Sequence, residues 1–130
     1  MIIKQQGITL IGAIFVLIIV SLLGSYLVKI YSVQQKTSIL ALQTARAYQT
    51  ANGGIEWGIA RVINANSCSA STTLSPNLNN FSVTVNCQLL GAYSENTITK
   101  NVYLITANSE FSSYGSPDYV SRTMQTTIHD

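Results

Sequence analysis

The N-terminal part of the chain is one long apolar run without a charge. Every residue between Lys4 and Lys29 is uncharged, and Ile, Leu, Val and Phe occupy most of the positions. A helix of about 20 apolar residues spans the ~30 Å hydrocarbon core of a bilayer, and a helix satisfies its own backbone hydrogen bonds there. The pattern therefore predicts a transmembrane helix over residues 8–28.

After Lys29 the apolar residues continue at helical spacing. They recur at intervals of three or four residues, or at sums of these, and they are Val33, Leu40, Tyr48, Ala51, Ile55, Ile59 and Val62. This spacing predicts an amphipathic helix over residues 29–64. Gly53 and Gly54 weaken it, since a glycine in a helix interior costs about 1 kcal/mol. We expect helix on both sides of this pair, which either kinks the helix or lets another helix or the sheet approach closely.

Beyond residue 65 the spacing changes to a period of two. The apolar residues that alternate with polar ones are Phe81, Val83, Val85, Cys87 and Leu89, and this alternation predicts a strand. Two further strands are predicted over residues 98–107 and 119–128, with a turn at 91–96 and a loop at 108–118. The Ser-, Thr- and Asn-rich stretch after Asn66 is predicted to be a loop. Val120, Met124 and Ile128 are expected on the inner face of the last strand. The whole pattern predicts an α+β fold, in which residues 65–130 form an antiparallel sheet of three or four strands on the long helix.

The composition favours an exported, non-catalytic domain. The 130 residues carry a net charge of +2, and only 9% of them are charged; this balance gives no reason to expect a nucleic-acid partner. Ser, Thr and Asn are abundant after the apolar run. We find no phosphate-binding loop and no convincing nucleophile–base set, and the five acidic residues are scattered. We therefore expect no enzyme activity, no catalytic residue and no cofactor.

Two cysteines, Cys68 and Cys87, both lie after the apolar run. Two thiols in an exported domain indicate a disulfide formed in an oxidising compartment, which would stabilise the fold by ~3 kcal/mol in the chain-entropy model. The alternative is a pair of buried free thiols. A zinc site is not expected, because two cysteines and the distant His129 are too few ligands. Charge alone does not orient the helix, because Lys4 flanks one end while Lys29 and Lys36 flank the other; the cysteines favour a head outside the cytoplasm.

The start of the apolar run carries a recognisable motif. Residues 4–11 read KQQGITLI, and a short basic leader that ends in Gly before an apolar helix resembles the class III signal of type IV prepilins. The resemblance implies that a prepilin peptidase removes leader residues 1–7 by cutting between Gly7 and Ile8, with methylation of the mature chain. A secretory signal peptide would need a small-residue cleavage site that residues 23–29 do not offer. A plain transmembrane anchor is the other alternative.

Gly12 departs from the common pilin pattern. The fifth residue of the mature chain is usually Glu in this family, where it is thought to neutralise the N-terminal amine of a neighbouring subunit. A buried carboxylate without such a partner is expensive, so its absence bears on assembly. Subunits without it resemble minor, tip-type components, such as the GspK-like pseudopilin or the PilX and MshP groups. The alternative is an unrelated anchor that never needed the Glu.

A second motif lies on the amphipathic helix. Residues 44–58 read TARAYQTANGGIEWG, which resembles MshP-type proteins of the mannose-sensitive haemagglutinin (MSHA) pilus and, more loosely, PilX-like minor pilins. In those proteins the motif lies where the globular head packs on the helix. The small residues of the motif permit close packing, and the contacts expected with the sheet include Tyr48, Ile55 and Trp57.

Together these resemblances imply a minor pilin of an MSHA-like type IV pilus that acts in pilus initiation or at the tip. The implied partners are prepilin peptidase, other minor pilins and a major pilin. The implied location is the inner membrane, with the head in the periplasm, followed by the pilus fibre. Two alternatives stay open: a minor pseudopilin of a type II secretion system, and a membrane-anchored periplasmic binding protein that never polymerises.

Overall fold

The computed structural model describes residues 6–75, 77–78 and 80–130, with side chains described from Thr9 onward. Its elements are α1 (Gln6–Ala65), β1 (Thr72–Thr73), β2 (Ser82–Glu95), β3 (Ile98–Phe111) and β4 (Val120–His129). The predicted α+β fold, a long N-terminal helix with an antiparallel sheet, is confirmed. The chain forms two compact units, of which the first ends at Ile39 and the second, the head, is Leu40–Asp130.

Helix α1 passes through Gly53 and Gly54 without a break. The expected helix on both sides of the pair is therefore confirmed, and of the predicted roles the close approach of the sheet is the one observed. The helix ends where Asn66 adopts a left-handed backbone conformation, with φ of 46°. There the Ser67 N–H donates to the Arg61 carbonyl oxygen at 3.2 Å, and Asn is one of the residues that adopt the left-handed conformation at helix C-termini.

Within the described residues the strands form one four-stranded sheet in the order β1-β2-β3-β4. All neighbouring strands are antiparallel. The β2–β3 hairpin turns at Asn96 and Thr97, whose φ angles of 53° and 72° are those of a two-residue type I′ turn.

Three predicted boundaries are wrong. The turn expected at residues 91–96 is mostly strand, because Gly91 lies at a β-bulge where the β2–β3 register shifts, and a bulge lets a strand continue. Strand β3 extends to Phe111, so the following loop is shorter than predicted. The two-residue strand β1 lies in a segment that was expected to be loop.

The core of the head lies between one face of α1 and the inner face of the sheet. The helix contributes Ala47, Thr50, Ala51, Gly54, Ile55, Gly58 and Val62, all buried. The sheet contributes Phe81, Val83, Val85, Ile105, Ala107 and Val120, and full burial of such Val, Ile or Phe side chains contributes about 1.5–3 kcal/mol each. The expected inner face of β4 is confirmed: Val120 is buried, while Met124 and Ile128 pack half-buried against the core.

Candidate functional site

The apolar segment of α1 keeps its side chains exposed. Leu10, Phe15 and Leu23 are each more than half exposed, and the most apolar stretch of the helix has no part buried within the described structure. Residues 9–28 span about 30 Å at the helical rise of 1.5 Å per residue. Among the described residues, α1 is the one helix long and apolar enough to cross a membrane.

Gly12 lies inside this segment and has open space around it. A β-carbon at Gly12 would meet no described atom within 4 Å, and the same holds for Gly24. Packing within this chain therefore does not require glycine at position 12.

The predicted processing site lies at the start of α1. Gly7 and Ile8 belong to the helix, which begins at Gln6, whereas their side chains and residues 1–5 lie outside the described residues. Cleavage after Gly7 therefore stays a prediction.

The sheet lies very close to α1 at two glycines of the helix. A β-carbon at Gly54 would lie 2.8 Å from Cγ1 of Val83 and 3.1 Å from Cβ of Ala107. At Gly58 it would lie 2.7 Å from Cγ2 of Ile105. Because Gly54 and Gly58 are one turn apart, they form a flat strip on the helix against which the β-branched side chains of β2 and β3 pack.

A buried pair of hydroxyl groups lies beside this strip. Thr50 on α1 and Ser109 on β3 are hydrogen-bonded through their side-chain oxygens, and their residues are only 3% and 0% exposed. The Thr50 hydroxyl also lies 3.0 Å from the carbonyl oxygen of Ala47. Buried hydroxyls are costly without partners, so this pair fixes how the helix sits on the sheet.

The three predicted packing residues have different positions. Ile55 is buried in the core and Trp57 packs half-buried against it. Tyr48 is 55% exposed and lies outside the core, where it lines a groove with Arg122 and Met124 of β4. The buried face runs through the neighbouring small residues Ala47 and Ala51, because the closely approaching sheet leaves no room for a large ring.

The disulfide between Cys68 and Cys87 is present. It joins the segment after α1 to β2, and the Cys87 N–H donates to the Ser69 carbonyl oxygen at 3.0 Å. Nearby, the guanidinium of Arg61 lies 5.2 Å from the centroid of the Trp57 ring, within cation–π range. This end of the head is therefore held by a covalent bond and a backbone hydrogen bond, with the cation–π contact beside them.

A groove lies between α1 and β4 within the head. It has a volume of about 680 Å³ and is lined by Ala41, Thr44, Ala45, Tyr48 and Gln49 of the helix and by Arg122, Thr123 and Met124 of the strand. Its walls are mostly small or apolar, and Arg122 supplies a positive charge. Sequence reasoning missed this groove, because the exposed side of the helix has no distinctive pattern there.

Polar chemistry is sparse in the described part of the chain. No group of three or more His, Cys, Asp or Glu residues that could hold a metal ion occurs there. His129 makes an edge-on contact with Tyr93, with ring centroids 6.3 Å apart. The Asp130 carboxylate accepts hydrogen bonds from the backbone N–H of Asn101 at 2.7 Å and from its side-chain amide at 2.9 Å. These two bonds, with a smaller contribution from Lys100, lower the pKa of Asp130 below its usual value.

The geometry of the chain thus combines an exposed apolar helical segment with an α+β head. Comparison with known proteins adds no family: no family model, no curated protein and no solved structure matches this chain.

Proposed function

We propose that this chain is a minor pilin of an MSHA-like type IV pilus, acting in pilus initiation or at the tip. The observation that carries the proposal is the apolar segment of α1, whose side chains are exposed on every side of the helix. The class III-like signal around Gly7 and Ile8 supports it, as does the motif of residues 44–58, whose Gly54 and Gly58 pack on the sheet.

The physical basis is that the apolar segment is compatible with two environments in turn, first the lipid bilayer and then a bundle of pilin helices. Before assembly it rests in the inner membrane while the head folds in the periplasm. After removal of the leader it moves into a bundle of helices from other minor pilins and the major pilin. Lipid tails are as apolar as Leu side chains, so exchange of lipid for helices has a small net cost.

Gly12 supports a minor rather than a major role. A Glu at this position would have to find a partner amine in every subunit contact, since an unpaired carboxylate is expensive in an apolar environment. A subunit with Gly12 neither needs nor offers that contact. It therefore suits a place where few copies are used, such as the start or the tip of a filament.

The processing step is tested by mass analysis of the N-terminal peptide from cells with an active prepilin peptidase. The proposal expects a mature chain that begins at Ile8. A Gly7→Leu variant is the matched control, and it should keep the leader because the peptidase motif is lost. A wild-type chain that still begins at Met1 would refute the proposal.

A type II secretion pseudopilin would share both the processing and the fold. The genes next to the gene for this chain distinguish the two functions. A pseudopilin gene is expected beside genes for an outer-membrane secretin and secreted hydrolases, whereas a minor pilin gene is expected beside a major pilin gene.

A further inference from the structure

Among the residues that the structure describes, no strand pairs with the outer edge of β4, which presents a regular row of backbone N–H and C=O groups. The Asp130 N–H donates to the Asn101 carbonyl oxygen, and hydrogen-bonded positions alternate along an antiparallel pair. With the observed β3–β4 register, the even-numbered residues of β4 bond to β3. The N–H and C=O groups that point away from the sheet therefore belong to Ser121, Thr123, Gln125, Thr127 and His129. We call these the edge-facing residues.

Of the devices that prevent strand pairing at natural sheet edges, this edge has one, the inward charge of Arg122. Natural sheets protect edges with proline, lysine, bulges or short edge strands. Strand β4 is ten residues long, contains neither proline nor lysine, and pairs with β3 without a register shift. At the opposite side of the sheet, by contrast, β2 is covered by β1 and by the disulfide-linked segment at Ser69, and a bulge follows at Gly91.

The groove beside β4 shows what an added strand would cover. It has a volume of about 680 Å³ and runs along the inner side of this edge, between Tyr48 and Ala45 of the helix and Met124 of the strand. A fifth strand on β4 would send alternate side chains toward α1. Small or apolar side chains at those positions would fill the groove and bury the exposed Tyr48 ring.

Arg122 makes the edge of β4 selective for an added strand that carries a negative charge. Its side chain lines the groove on the inner side of β4, and no hydrogen bond or ion pair joins it to any described residue. An inward charge at an edge opposes pairing with an apolar or basic strand. A strand with a carboxylate opposite Arg122 would convert this penalty into a charge-assisted contact.

We propose that the outer edge of β4 binds an extended segment of a different protein, added as a fifth antiparallel strand. The segment has small or apolar side chains at the positions that face the Tyr48–Met124 groove and an acidic residue at the position that faces Arg122. Backbone hydrogen bonds to the edge-facing residues provide the affinity, and the groove and Arg122 provide the selectivity.

A second copy of this chain does not meet that description. Between Val120 and His129, β4 carries Arg122 but no carboxylate. Pairing of two β4 edges therefore gives Arg122 no acidic partner within the strand, and leaves both cations on the inner side of the joined sheet.

The test uses the full chain in detergent micelles and two synthetic peptides. Both peptides have nine residues in which Thr alternates with Val, except that one Val is replaced by a charged residue. The Glu peptide is TVTVTETVT, and the Lys peptide is TVTVTKTVT. Amide hydrogen exchange is measured by NMR. The proposal expects the Glu peptide to slow exchange at Thr123, Gln125 and Thr127 roughly tenfold or more. Met124 and Thr126 should be unchanged, because their N–H groups already bond to β3.

Two variants make the test specific. Gln125→Pro removes one edge-facing N–H while the bonds to β3 are kept, so it should weaken binding of the Glu peptide roughly tenfold. Gln125→Ala, which keeps the N–H, is its control. Arg122→Glu should reverse the preference, so that the Lys peptide binds better. A Glu peptide whose backbone nitrogens facing β4 are N-methylated cannot donate hydrogen bonds to the strand and should fail to bind. This control uses the wild-type protein.

Three results would overturn the proposal. The first is the absence of alternating protection at a saturating concentration of the Glu peptide. The second is equal binding of the Glu and Lys peptides to the wild-type chain. The third is alternating protection without any peptide together with a doubled mass, which would show that a second copy occupies the edge.

Discussion

The hydroxyl of Thr50 on α1 is hydrogen-bonded to the hydroxyl of Ser109 on β3, 59 residues away in sequence and inside the head. Thr50→Val leaves the buried Ser109 hydroxyl without this partner, and Ser109→Ala leaves the Thr50 hydroxyl with only its helix carbonyl partners. We expect each to lower the free energy of unfolding by about 1–3 kcal/mol. Denaturant unfolding of the full chain in detergent micelles, followed by a signal from the head, measures this.

The double variant is the informative control for this pair. Removal of both hydroxyls leaves neither unpaired, so the double variant should lose less stability than the sum of the single variants. Strict additivity would contradict the coupling between Thr50 and Ser109.

Alanine substitutions at two adjacent glycines of α1 should change the free energy of unfolding in opposite directions. A methyl group at Gly54 would lie 2.8 Å from Val83 Cγ1, whereas at Gly53 it would meet only Leu78 Cδ2 at an ordinary 3.9 Å. Gly53→Ala should therefore stabilise the chain by up to about 1 kcal/mol, as helix propensity dictates. Gly54→Ala should lower the free energy of unfolding by about 1–3 kcal/mol, because overpacking displaces the sheet. Equal stability changes in the two variants would show that the sheet does not lie this close to the helix.

The disulfide should carry a measurable part of the stability of the head. The Cys68→Ala/Cys87→Ala variant removes the link across a sequence separation of 19 residues. It should unfold at lower denaturant concentration, with a loss of about 3 kcal/mol. Reduction of the wild-type chain should produce a similar loss, while the double variant should be insensitive to reductant. A wild-type chain whose unfolding is unaffected by reductant would contradict the prediction.

The contact between Asp130 and Asn101 should make the end of the β3–β4 pair sensitive to acid. The hydrogen bonds from Asn101 lower the pKa of Asp130 in the folded state. The stabilisation is therefore fully present above the unfolded pKa and is lost as pH falls through the folded value, below about pH 4. NMR should show a carboxyl titration midpoint below the usual Asp value, with loss of Asn101 amide protection over the same range. In Asp130→Asn, protection of that amide should no longer depend on this titration. A midpoint at or above the usual value would contradict the assignment.

Much of the architecture follows from sequence periodicity, and the differences have identifiable causes. Periods of 3.6 and 2 mark the helix and the three long strands because each element buries one face. The β2–β3 turn is predicted too early, at residues 91–96, because it uses Asn96 and Thr97 without a glycine, while Gly91 lies at a bulge. Tyr48 is exposed because the helix packs through its smallest residues.

The polar contacts of the head depend on three-dimensional pairing. Thr50 is a polar residue of the helix, and its burial accompanies the hydrogen bond to Ser109 on another element. The groove beside β4 and its unpaired edge likewise depend on strand order, which no local pattern of the chain specifies.

The central claim concerns the environment of the apolar segment of α1. Leu23, which is 58% exposed, is replaced by a photoreactive benzophenone amino acid in cells that assemble pili. A matched sample carries Gly7→Leu as well, so that the chain stays uncut and in the membrane.

Crosslinking from position 23 is the most direct measurement. The account predicts adducts with the apolar helices of other pilins in the processed chain and lipid adducts alone in the uncut control. Lipid adducts alone in both samples would contradict it, because the segment would then be a permanent membrane anchor.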